Sequence, residues 1–126
     1  MIVRPLTAEE RSLVRRIADR LGGDEGAQLR ADLENATARA VIADGSIVEF
    51  DISGYERPAW RGQHPFRVEG TMVDRDGAEL EVVLHADENG RLLELEIIRY
   101  DPGDLIAPDW STLELEPPTS ALENAS

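Results

Sequence analysis

The 126-residue chain contains no cysteine, which excludes a disulfide framework, a thiolate metal site and a cysteine nucleophile. It contains no lysine either, so all 13 of its basic residues are arginines. Long apolar runs are missing. The longest, such as Ala40 to Ala43, reach four or five residues, against the roughly 20 that a membrane-spanning helix needs. The opening stretch from Met1 to Thr7 lacks the apolar segment of a signal peptide, so the expected location is cytoplasmic. There is no Gly-x-Gly-x-x-Gly, no phosphate loop and no Gly-x-Ser-x-Gly. The two histidines, His64 and His85, fall in different segments without metal-ligand spacing, so neither a metal nor a cofactor is expected. Asp74-Arg75-Asp76-Gly77 and Asp87-Glu88-Asn89-Gly90 lack the downstream ligands of a calcium loop and read as hairpin turns.

What is abundant is acid. The formal net charge is −13, which disfavours nucleic acid and anionic membranes as partners. The charge is unevenly placed. Residues 1–20 carry five arginines against three acids, and no basic residue follows Tyr100. Such a surface provides solubility, and it can also steer association with a basic protein.

The length suits one domain. Thr7 and Glu10 are spaced as a capping box, and Leu13, Val14, Ile17, Ala18 and Leu21 then recur at helical spacing up to Gly22-Gly23. The opposite face carries Arg11, Arg15, Arg16 and Arg20, expected to be solvated and partly paired to the acidic sheet. A second helix is expected over residues 24–35, capped by Asp24, with Leu29, Leu33 and Ala36 on one stripe.

From Ala38 the period changes to two. Strands are expected at 39–43, 46–53, 66–74, 78–86 and 91–100, with an edge strand or clasp at 110–116. Arg75-Asp76-Gly77 supplies the odd loop that pairs Phe66, Val68, Gly70 and Met72 with Leu80, Val82, Leu84 and Ala86. An even loop at Asn89-Gly90, or at 87–90, places Leu93, Leu95 and Ile97 inward and sets Glu81 beside Glu96, Val83 beside Glu94 and His85 beside Leu92. The expectation is an α+β domain over residues 1–116: two N-terminal helices on one face of an antiparallel meander sheet of about four or five strands, followed by a disordered acidic tail at 117–126.

Two regions carry candidate function. Glu79, Glu81, Glu94 and Glu96 share the outward face of the central hairpin with His85. Carboxylates beside a histidine are the material of acid–base catalysis, but an open wet face lacks the walls that desolvate a catalytic group, so no catalytic residue is assigned. The segment from Tyr55 to Phe66 gathers Tyr55, Arg57, Trp60, Arg61 and His64, residue types that dominate protein interfaces.

Three stretches also resemble a known text: Arg4-Pro5-Leu6-Thr7-x-Glu9-Glu10, Gly45-Ser46-Ile47, and Leu84-His85-Ala86-Asp87 leading to Gly90-Arg91-Leu92-x-Glu94-Leu95-Glu96-Ile97. With Pro108-Asp109 as a closing motif, the chain resembles, over roughly residues 3–110, a family of small bacterial single-domain proteins of unknown function. The resemblance implies no activity and no catalytic residue. By analogy with small acidic bacterial proteins that neutralise toxins, the expectation is a non-enzymatic immunity-type module that occludes a basic toxin. The alternatives are a small-molecule pocket between helices and sheet, or a homo-oligomeric domain joined through a sheet edge.

Overall fold

The computed structural model describes residues 2–118, so most of the expected tail lies outside the described residues. Helix α1 (Ala8–Leu21) begins as its capping box dictates. Thr7 Oγ1 accepts from the Glu10 amide at 3.1 Å and Glu10 Oε1 accepts from the Thr7 amide at 2.8 Å. Arg4 donates to both oxygens of the same carboxylate, at 2.8 and 2.9 Å. Burial alone would raise the Glu10 pKa, yet Arg4 and Thr7 together hold it below the ordinary carboxylate value.

Helix α2 (Gly23–Glu34) starts one residue earlier than expected. Gly22, at φ +63°, both ends α1 and caps α2, so Asp24 falls in the first turn rather than at the cap. A Cβ on Gly26 would sit 2.4 Å from the Ala18 carbonyl oxygen. Only a bare backbone lets the two helices approach this closely.

The sheet is larger than expected, with seven strands: β1 (Ala36–Ala40), β2 (Ile47–Ile52), β3 (His64–Pro65), β4 (Gly70–Val73), β5 (Glu79–Ala86), β6 (Leu92–Arg99) and β7 (Asp109–Leu115). Its order is β1-β2-β6-β5-β4-β7, with β3 on β5, and every pairing is antiparallel. Two causes enlarge it. The strand expected at 66–74 forms only over residues 70–73 as β4, although Phe66, Val68, Gly70 and Met72 are all buried as the alternation requires, and the short β3 precedes it as an additional strand. The segment after residue 108 pairs with β4 as β7, across a register shift between Thr71 and Val73. The first strand also lies three residues earlier than its expected 39–43, and its outer edge takes a bridge from Arg4 to Ala38.

Leu13, Val14, Ile17, Leu29 and Leu33 of the helices meet Val48, Phe50, Met72, Val82, Leu84, Leu95 and Leu113 in one core on the inward face. The architecture is therefore α+β, with helices on one side of an antiparallel sheet. Among the described residues, no helix is long and apolar enough to cross a membrane.

The hairpin of β5 and β6 keeps its predicted faces but not its predicted partners. Glu81 opposes Ile98, Val83 opposes Glu96 and His85 opposes Glu94. The turn is five residues, 87–91, and the ladder then slips between the pairs Ala86–Leu92 and His85–Glu94, leaving Leu93 as an extra residue. A five-residue turn alone would invert the faces. The one-residue bulge restores the parity. Leu92 takes the core position expected of Leu93, which is buried outside the central cluster.

Behind the far end of β6, Asp74 gathers the chain before β7. Its carboxylate accepts from the amides of Arg75, Ile106 and Ala107 and from Arg99 Nη1, at 2.8–2.9 Å.

Candidate functional site: the outward sheet face and its loop

The loop from Gly54 to Gln63 crosses to the side of the sheet away from the helices, and its start is fixed from below. Tyr55 Oη donates to Asp87 Oδ2 at 2.6 Å, and Arg57 Nη1 donates to the same oxygen at 2.9 Å. Arg57 Nη2 reaches the carbonyls of Phe50 and Leu92 at 2.6 and 2.8 Å. The Tyr55 ring receives the guanidinium of Arg91 at 4.2 Å and that of Arg57 at 5.4 Å from its centre. Burial alone would raise the Asp87 pKa. Tyr55, Arg57 and the amides of Arg91 and Asn89 outweigh that and lower it. Tyr55 and Arg57 are thus engaged inside the molecule.

Further along, the loop lays polar groups on one end of the outward face. Arg61 donates to both oxygens of Glu49, at 3.1 and 3.0 Å, and Arg39 of β1 donates to Glu49 Oε2 at 2.7 Å. Gln63 donates to Glu94 at 2.9 Å, which leaves Glu94 only 9% exposed. His85 Nε2 lies 3.1 Å from Glu96 Oε1, while its Nδ1 is buried without a partner among the described residues. The histidine therefore stands between two carboxylates, as acid–base chemistry would need, but the loop covers it. Among the described residues, no group of three or more side chains could hold a metal ion.

Two sequence-derived candidates remain at the surface of the loop. Trp60 is 73% exposed. His64 is exposed with Nδ1 3.0 Å from the Gly62 carbonyl, beside a cavity of about 540 Å³ bounded by Phe66, Glu69 and Glu116.

The other end of the outward face is uncovered and acidic. Cross-strand register sets Glu114 of β7, Thr71 of β4 and Glu81 of β5 in one row. A depression of about 200 Å³ collects Glu69, Glu79, Glu81 and Glu116 around Tyr100 and Thr71. Tyr100 Oη donates to Glu81, and this bond with the carboxylate charge of Glu81 raises the phenol pKa. Among the described residues, none of these four carboxylates forms an ion pair. The sequence reading missed Tyr100, Glu69 and Glu116. Period-two alternation from Glu96 through Ile98 places Tyr100 on this face and was the available signal.

A further space of about 320 Å³ opens on the inward side, between the start of α1, the β1–β2 hairpin and residues 105–110. Its floor is Val48, Leu95 and Ile97, and Trp110 and the Arg4–Glu10 pair stand at its rim.

A family model described as Domain of unknown function (DUF6984) matches residues 3–108. No curated protein and no solved structure matches the chain.

Proposed function

We propose, for a chain that belongs to the DUF6984 family and carries no activity with that membership, a non-enzymatic protein-binding role. The partner is a basic protein, and the role is of the immunity type, in which the bound domain occludes a toxin. The observation that carries this reading is the uncompensated depression of Glu69, Glu79, Glu81 and Glu116. Four carboxylates within one small concavity repel each other at neutral pH, and a guanidinium or ammonium group from a partner relieves that repulsion. Exposed Trp60 adds an aromatic anchor of the kind that dominates binding energy. Tyr55 and Arg57 serve the interface indirectly, by fixing the loop that presents Trp60. Glu94 is excluded from direct contact by Gln63.

The test is affinity capture from the producing cells, followed by reconstitution with the purified captured protein. The reading requires a basic partner that Glu79→Gln/Glu81→Gln and Trp60→Ala each release, and whose association slows steeply with salt. A partner bound equally by all three forms overturns it.

One observation favours a second reading, a small-molecule site. The inward space of about 320 Å³ has an apolar floor and a few convergent polar groups, at the low end of ligand-pocket sizes. A metabolite that raises the melting temperature of the wild type but not of Val48→Phe would establish it.

A further inference from the structure

The arginines of this chain divide sharply by partner. Eight of the 13 form ion pairs with carboxylates of the same chain: Arg4, Arg30, Arg39, Arg57, Arg61, Arg67, Arg91 and Arg99. Of the five that form none among the described residues, four are Arg11, Arg15, Arg16 and Arg20, all on the solvent side of α1. The sequence led to the expectation that these would be partly paired to the acidic sheet. Among the described residues they form no ion pair, because the buried face of α1 turns its opposite side away from the sheet. Two like-charged rows at i, i+4 spacing, Arg11 with Arg15 and Arg16 with Arg20, cost a helix a few tenths of a kcal/mol each. The nearby carboxylate of Asp19, four residues after Arg15, is paired with Arg30.

The opposite side of the molecule bears the complementary feature. Glu114, Glu81 and Glu96 lie on the outward face across β7, β4, β5 and β6, and Glu79 lies beside Glu81 on β5. Two strand spacings, about 10 Å, separate Glu114 from Glu81 along their row, which Ile98 continues on β6. Arg15 and Arg16 stand on either side of the outer line of α1, with Arg11 and Arg20 on its two flanks, half a turn apart around the axis. A helix face with four arginines and a sheet face with Glu79, Glu81 and Glu114, none of them in an ion pair among the described residues, thus stand on opposite layers of one chain.

We propose that α1 docks on the outward sheet face of a second copy of this chain, in a head-to-tail contact. A nucleic-acid or membrane partner for the same arginines is opposed by the net charge of −13, whereas a second copy presents its acid locally. The contact joins unlike faces, so each dimer keeps one free face of each kind and further copies can add. The long-range repulsion between two strongly acidic copies weakens once salt shortens the Debye length to about 8–10 Å, while close ion pairs survive. Association is therefore strongest at intermediate ionic strength. It also covers the acidic depression, so a basic partner and a second copy compete for one face.

The experiment is sedimentation velocity of the full chain across protein concentration at about 0.02, 0.15 and 1 M salt. The wild type is compared with Arg15→Glu/Arg16→Glu, with Glu79→Arg/Glu114→Arg, and with an equimolar mixture of the two variants. All four side chains are exposed and none forms an ion pair among the described residues, and circular dichroism checks that each variant folds. The expected wild-type weight-average mass rises with concentration above the 13.9 kDa monomer at 0.15 M salt, and less at the two extremes. Each variant alone loses this rise at least tenfold in concentration. In the mixture the remaining wild-type helix meets the remaining wild-type sheet face, and the two reversed faces, an acidic helix and a basic sheet, are complementary as well, so association is recovered. A monomeric wild type at every concentration, association that survives both reversals, or a mixture that stays monomeric overturns the proposal.

Discussion

Asp32 of α2 and Arg91 at the entrance to β6 form the strut between the helical layer and the central hairpin. Arg91 Nε donates to both Asp32 oxygens, at 2.9 and 3.1 Å, and its Nη2 lies 2.7 Å from Oδ1. The Leu92 amide donates to Asp32 Oδ2 at 3.0 Å. Asp32 is 1% exposed, so its charge is tolerated only because four donors, Gln28 among them, surround it.

Removing that carboxylate leaves the Leu92 amide buried and Arg91 without its anion. Asp32→Ala is expected to cost about 3–5 kcal/mol, read as a lower urea midpoint with an unchanged slope. A loss under about 1 kcal/mol would reduce the strut to a surface-grade ion pair.

Gly26 sits where the helices touch. Alanine is the better helix former, yet its Cβ would lie 2.4 Å from the Ala18 carbonyl oxygen. Overpacking outweighs propensity, so Gly26→Ala is expected to destabilise by about 1–3 kcal/mol. Greater stability in the same denaturation assay would show that α2 is free to shift.

The exposed and the buried aromatics of the loop should behave oppositely. Trp60→Ala is expected to change stability by less than about 0.5 kcal/mol, as other exposed positions do. Tyr55→Phe strips a hydrogen bond from buried Asp87 and is expected to cost about 1–3 kcal/mol. Paired denaturation curves decide this, and a costly Trp60→Ala would mean that the indole supports the loop.

Acid should unfold the domain through a few carboxylates. Asp74 and Asp87 have lowered pKa values despite burial, because amides and guanidinium or phenol groups surround them. Arg99, the largest cause, brings exposed Asp76 down to about 2. A carboxylate whose folded pKa lies below its unfolded value binds fewer protons when folded. Its contribution is complete above the unfolded value near pH 4 and is lost as pH falls through the folded value. Stability is therefore expected to be flat near neutrality and to drop between about pH 4 and pH 2. Asp74→Asn should flatten part of that drop. Urea midpoints across this range provide the check.

Much of the fold was legible because the hydrophobic periods are clean. The capping box at Thr7 and Glu10, the three-residue turn ending in Gly77 at φ +88°, and the inward sets of β4 and β5 all stand where the pattern put them. The register of β6 was not legible, since Leu92 and Leu93 are equally apolar and only the packed structure selects which one bulges. The shortfall in strand number has a similar origin. A two-residue β3 has no period to detect, and β7 depends on pairing with β4. In the candidate site, sequence identified the acidic face and the aromatic loop. It did not reveal that Asp87, 30 residues from Arg57, draws Tyr55 and Arg57 inward.

One carboxylate, Asp87, holds the start of the loop through Tyr55 and Arg57 and closes the 87–91 turn through the amides of Asn89 and Arg91. Neither segment can leave its place without loosening the other. The hairpin turn is thereby a built-in gauge of the loop. Anything that pulls on Trp60 is registered as changed amide exchange at Asn89 and Gly90, across the Glu88 amide that donates to the Arg61 carbonyl at 2.6 Å.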